Sequence, residues 1–127
     1  DRLLELERDL VELLQRVRPE AVAVESVFTN ANFPGTAIVM AHARGVLLLA
    51  VRRAQLPLVE IAPRSVKQAM TGSGRATKEQ MQLAVQDLFR LPAPPKPADV
   101  ADALAIAVTG SARAESGINT RDTIAGR

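Results

Sequence analysis

The chain has no cysteine, tryptophan or tyrosine, only three phenylalanines and a single histidine among its 127 residues. Without cysteine there is neither a disulfide framework nor a thiolate metal site, which suits a reducing cytoplasm. A bound metal is therefore expected on oxygen ligands. Contiguous apolar runs are short as well. The longest, Gly45 to Val51, falls well under the roughly 18 to 20 residues of a membrane span, so the chain is expected to be soluble, with no membrane association and no signal peptide. Acid is missing from one stretch: between Arg64 and Lys78 there are four cations, Arg64, Lys67, Arg75 and Lys78, and no Asp or Glu.

What is present is ordinary for one globular domain with a real core: 47% hydrophobic and 24% charged residues, with a net charge of +2. Leucines and valines at 3, 6, 10, 13, 14 and 17 mark one face of an N-terminal helix that Pro19 ends. Ala21 to Phe28 reads as a short buried strand. A helix follows from Pro34 to about Gln55, with Gly45 in its middle suggesting close approach of another backbone, within the domain or across a dimer. Leu56 to Ala62 is a second strand, and Pro63 opens a short helix that the Thr71-Gly-Ser-Gly74 loop stops. Thr77 and Gln80 have the spacing of a capping box for a helix whose Met81, Val85, Leu88 and Phe89 are expected inside. After the proline-rich stretch 91–97, a last helix runs from about Ala98 to Ala112. Residues 1–112 are expected to form the core and 113–127 a flexible tail.

Strand, crossover helix and parallel strand define an α/β order with a right-handed crossover. Both strands are valine-rich, as strands covered on two faces are, so further strands are expected beside them. The chain also starts on a helix without an initiator methionine, and residues upstream are expected.

Three carboxylates stand in otherwise apolar segments: Glu25 in Ala21-Val-Ala-Val-Glu-Ser-Val27, and Asp99 and Asp102 in Ala98-Asp-Val-Ala-Asp-Ala-Leu-Ala-Ile-Ala107. An ionised carboxylate in such a place is costly unless paired, hydrogen-bonded or bound to a cation. Positions three apart share a helix face, and Glu25 lies near the C-terminal end of a parallel strand, the edge where α/β sheets place their sites. Converging carboxylates repel and take up protons unless a divalent cation neutralises them. Two such ions are the usual device for in-line displacement at phosphorus, so phosphodiester hydrolysis is the expected reaction. Structural roles compete: Asp99 suits a helix cap, and Glu25 suits an ion pair with Arg44 or another cation. The cation-rich loop is matched to phosphate contact or, equally, to a solvated surface.

Val24-Glu-Ser-Val-Phe28, Ala43-Arg-Gly45, Val66-Lys-Gln68, Thr71-Gly-Ser-Gly-Arg-Ala-Thr-Lys78 and the segment from Ala98 to Ala107 resemble, in order and spacing, the RuvC family of bacterial Holliday junction resolvases. The resemblance covers about residues 1 to 112. It implies an RNase H-like fold, here reduced to two parallel strands with flanking helices, and a homodimer formed through the Pro34–Gln55 helix. It also implies a Mg²⁺-dependent endonuclease, with Mn²⁺ as a substitute and two ions per site, that nicks four-way DNA junctions in recombination and repair. RuvA and RuvB, the branch-migration proteins, are the implied partners. Carried over by position, Glu25, Asp99 and Asp102 become metal ligands, Phe28 a residue that stacks on junction bases, and Lys67 and Lys78 DNA contacts. Arg64 and Arg75 join the DNA-binding set on charge alone.

The resemblance has one gap. The family's first acidic ligand lies on its first strand, in a motif of the Gly-Ile-Asp-Pro-Gly type, and nothing like it occurs among these residues. The 127 residues alone are therefore expected to be inactive. A non-catalytic junction-binding module with a decayed RNase H-like core, and a related nuclease with another substrate, are the alternatives.

Overall fold

The computed structural model describes residues 1–26 and 34–115. In chain order these form α1 (Arg2–Val17), β1 (Val22–Glu25), α2 (Pro34–Arg53), β2 (Leu58–Ile61), α3 (Pro63–Thr71), α4 (Lys78–Phe89) and α5 (Ala98–Glu115). The strands pair in a two-stranded sheet. Val22 N–H donates to the Pro57 carbonyl at 2.9 Å and Ser26 N–H to the Ile61 carbonyl at 2.8 Å, an equal advance along both strands, so they run parallel.

The chain divides into two compact units. The first contains α1 and α2. Asp1 caps α1 by accepting from Leu3 N–H at 2.9 Å, and Arg18, in the left-handed region at φ 51°, ends it ahead of Pro19. Leu14 of α1 and Ala50 and Val51 of α2 are buried. Much apolar surface is not: Leu13 and Val17 on α1, and Ile38, Val39, Met40 and Leu49 on α2, are exposed. Gly45 meets nothing where a Cβ would stand, so the close backbone approach expected there does not occur among the described residues. The expectation of no membrane-length segment also needs correction. Gly35–Arg53 is 19 residues long with mean hydropathy 1.3, apolar enough by length and composition to cross a membrane. Counting unbroken apolar runs missed it because His42 and Arg44 interrupt the run without lowering its average far. One such helix is weak grounds for a span, since helices of soluble proteins meet the same test.

The second unit comprises Ala23–Ser26 and the chain from Val59 onward. Its core joins Val59 and Ile61 of β2, Val66 of α3, Ala76 of the loop after α3, Met81 and Val85 of α4, and Ala101 and Ala105 of α5, with Ala23 of β1 packed against it. Each large side chain withdrawn from water there contributes about 1.5 to 3 kcal/mol. Pro63 occupies the first turn of α3, and Gly72 ends it at φ 84°, a backbone region that side chains disfavour. The capping box of α4 is formed: Thr77 Oγ1 accepts from Gln80 N–H at 3.1 Å and Gln80 Oε1 from Thr77 N–H at 2.8 Å. Two expectations fail. Leu88 and Phe89 are exposed, because only Met81 and Val85 fall on the inner face before Arg90 turns the chain out of the helix. And α5 continues past Ala112 to Glu115, so position 113 belongs to the helix and not to a tail.

Candidate metal and nucleic-acid site

Side chains alternate along a strand, so Ala23 and Glu25 of β1 point to the same side of the sheet. That side is where α5 lies. Gly110 sits so close to β1 that a Cβ built on it would stand 2.6 Å from the Ala23 Cβ and 3.6 Å from the Ile61 Cδ1. Helix α5 thus crosses the face from which Glu25 projects.

Glu25 is half-buried. Burial holds its carboxyl above the ordinary carboxylate range, the charge of Asp102 pushes it the same way, and Lys67 pulls it down. Asp102 of α5 and Lys67 of α3 therefore both act on Glu25 of β1. Lys67 is half-buried, while Asp102 and Asp99 are exposed. The cost of burying a carboxylate consequently applies to Glu25 and not to the α5 pair. An alanine-rich helix buries its small residues Ala101 and Ala105 and leaves the aspartates outside. Asp99 stands in the first turn of α5. No group of three Asp, Glu, His or Cys side chains forms a ready metal cage among the described residues. The chemistry of the donors still fits a hard divalent cation. Oxygen ligands are offered, and a cation beside Glu25 and Asp102 would offset both the burial of the Glu25 charge and the Asp102 repulsion that raise its carboxyl.

Of the cations, Arg64, Arg75 and Lys78 are exposed. The Arg64 side chain lies along Gly74, where a Cβ would meet its Cγ at 2.7 Å, so Arg64 and Arg75 flank the same loop. That loop is bonded to itself. Thr71 Oγ1 donates to the Lys67 carbonyl at 2.9 Å and accepts from Ser73 N–H at 3.1 Å, Ser73 Oγ accepts from Arg75 N–H at 3.2 Å, and Gln68 Nε2 donates to the Gly72 carbonyl at 3.0 Å. Phe28, the expected stacking residue, lies outside the described residues.

Three residues near the end of α5 escaped the sequence reading. Thr109 is buried and its hydroxyl donates to the Ala105 carbonyl at 2.8 Å. Gly110 makes the approach to β1, and Arg113 Nη1 donates to the Glu60 carbonyl on β2 at 3.3 Å. The only hint was the run of small residues continuing through Gly110 and Ser111.

This fold and this carboxylate-bearing face define an RNase H-like α/β domain. The family model for crossover junction endodeoxyribonuclease RuvC matches residues 1–110, and the chain belongs to the RuvC family. The RuvC of Desulforamulus reducens is 47% identical over 107 residues, covering 84% of this chain and 65% of the relative. For that of Moorella thermoacetica the identity is 50%, over 84% of this chain and 64% of the relative. The chain thus spans just under two thirds of these relatives. Among solved structures, Thermus thermophilus RuvC superposes with a TM-score of 0.78 at 38% identity, over 91% of this chain and 69% of that one. The same protein in complex with a Holliday junction substrate gives 0.80 at 38% identity, over 91% and 70%.

Proposed function

We propose that the chain forms the catalytic core of a structure-specific endonuclease that resolves Holliday junctions by metal-dependent phosphodiester hydrolysis, in DNA recombination and repair. The observation that supports this most is the grouping of Glu25, Asp102 and Lys67 on one face of a RuvC-family fold, where burial and then the charge of Asp102 raise the Glu25 carboxyl. Glu25, Asp99 and Asp102 would hold Mg²⁺, or Mn²⁺ in its place, as a pair of ions. Held by these carboxylates, such ions would supply Lewis-acid activation of water and charge stabilisation at the leaving oxygen.

The residues of the chain do the rest. Lys67 faces the carboxylates and is suited to a phosphate oxygen of the strand to be cut. Arg64, Arg75 and Lys78 meet phosphates around the Thr71–Lys78 loop, and Phe28 offers a ring for base stacking, an interaction of about 1 to 3 kcal/mol. The exposed apolar face of α2 is assigned to a homodimer, two sites then cutting two strands of a four-way junction. RuvA and RuvB are the proposed partners and the cytoplasm the proposed location. No residue of the 127 matches the family's first-strand acid, so these residues alone are proposed to be inactive.

A second reading, a junction-binding module without catalysis, draws on the lack of a three-carboxylate group among the described residues. Cleavage of four-way junctions, plain duplexes and RNA–DNA hybrids by the intact protein separates the two. Nicking confined to the junction and lost in Asp102→Asn, with junction affinity kept within about twofold, is the outcome expected; the loss should be about 1,000-fold or more. Full activity in Asp102→Asn would sink the metal assignment. Binding without cleavage in the parent protein would favour the module.

A further inference from the structure

Asp102 and Arg113 are eleven positions apart on α5, close to three whole turns, so they lie on one side of the helix about 16 Å apart along its axis. Near one end of that line, Asp102 is on the face that Glu25 projects from. At the other end the helix is fixed twice. Gly110 rests against Ala23, two residues from Glu25 on the same side of β1, with no room for a Cβ, and Arg113 ties the last turn to the Glu60 carbonyl of β2. Thr109, the buried neighbour of Gly110 in the chain, bonds back to Ala105, a pattern that bends helices slightly.

We propose that Gly110 and Arg113 are positioning residues. They anchor the C-terminal turns of α5 on the sheet and thereby set where Asp102 stands relative to Glu25. The inference rests on the metal-site reading above and deepens it. A helix seated on a close contact moves as a rod when the contact is widened, since packed interiors transmit displacement. Adding a methyl at position 110 lifts α5 from β1, and removing the Arg113 bond frees its end from β2. The effect of each is carried by the helix.

The test is Mn²⁺ titration of the intact, DNA-free protein by calorimetry, alongside thermal melting and junction nicking. The variants are Asp102→Asn, Gly110→Ala, Gly110→Ala with Ala23→Gly, Arg113→Ala and Arg113→Lys. Gly110→Ala and Arg113→Ala should each weaken Mn²⁺ affinity about tenfold, the range seen when groups supporting metal ligands are lost. Junction affinity measured without metal should stay within twofold. Moving the methyl from strand to helix in the double variant restores the space, so it should recover most of the Mn²⁺ affinity, and Arg113→Lys should recover part. Unchanged Mn²⁺ affinity in Gly110→Ala and in either Arg113 variant, while Asp102→Asn weakens it, would overturn the anchoring role and leave the metal site standing. Unchanged affinity in Asp102→Asn overturns both.

Discussion

The two units of the chain handle apolar surface in opposite ways. In the second, β2, α3, α4 and α5 turn Ile61, Val66, Val85 and Ala105 inward and leave Asp99, Asp102, Arg64 and Lys78 in water. In the first, α2 holds Ile38, Val39, Met40 and Leu49 outward. Helices α2 and α5 are both rich in alanine, valine and leucine or isoleucine, and composition alone does not distinguish them. The difference lies in whether a helix finds its cover among its own neighbours. Helix α5 does, and is free to carry charge on the rest of its surface. Helix α2 does not among the described residues, and the homodimer proposed above would cover its outer face.

The largest effect expected after loss of Asp102 falls on that outer face. Val39→Asp, at a side chain 66% exposed, should leave the fold intact and weaken self-association about 100-fold, a central hot-spot loss. Sedimentation equilibrium reads it, and an unchanged dimer constant would break the contrast between the units. In the second unit, Lys67→Ala should weaken junction binding about tenfold and flatten the dependence of log K on log salt by about one. A slope equal to the parent's would count against phosphate contact. Thr77→Ala removes the hydroxyl half of the capping box, leaving the residue 77 backbone N–H on Gln80 Oε1, and should cost about 1 kcal/mol, measured by urea unfolding.

The smallest effect sharpens the electrostatics. The folded Glu25 carboxyl is raised, by burial first and by Asp102 second. Stability it contributes is therefore fully present below the unfolded carboxyl pKa and is lost as pH rises through the raised folded value. In metal-free protein at neutral pH, Glu25→Gln should raise the melting temperature by something on the order of a degree, since solvent screens this partly exposed group. Mg²⁺ should stabilise the parent more than the variant. A lower melting point in metal-free Glu25→Gln would show that the favourable contacts of the Glu25 carboxylate outweigh its burial and the Asp102 repulsion.

Local signals were the legible ones. Pro63 at a helix start, the left-handed turn at Gly72 and the Thr77–Gln80 box all act within four residues, and each is found where its chemistry placed it. The carboxylates were legible as residues but not as surfaces. An alanine-rich helix has a weak sidedness in sequence, so Asp102 read as embedded when it is exposed. Leu88 and Phe89 misled for the converse reason: periodicity says which residues share a face, and not where the partner surface ends. Gly110 and Arg113 were invisible because their meaning depends on Ala23 and Glu60, far away in sequence.

The loop between α3 and α4 has a kinetic consequence. Thr71, Ser73 and Gln68 hold its backbone by hydrogen bonds that need no ligand. A flexible loop must surrender conformational freedom when it grips DNA, and that loss is subtracted from every phosphate contact it makes. Here the ordering is completed during folding. Arg75 is thus carried on a stiff platform, and Lys78 on the capped helix that follows. Under the phosphate contacts proposed for this loop, an arriving phosphate chain would have only side-chain tips left to settle, so encounters should mature into bound complexes quickly and the affinity should be governed by how fast the contacts let go.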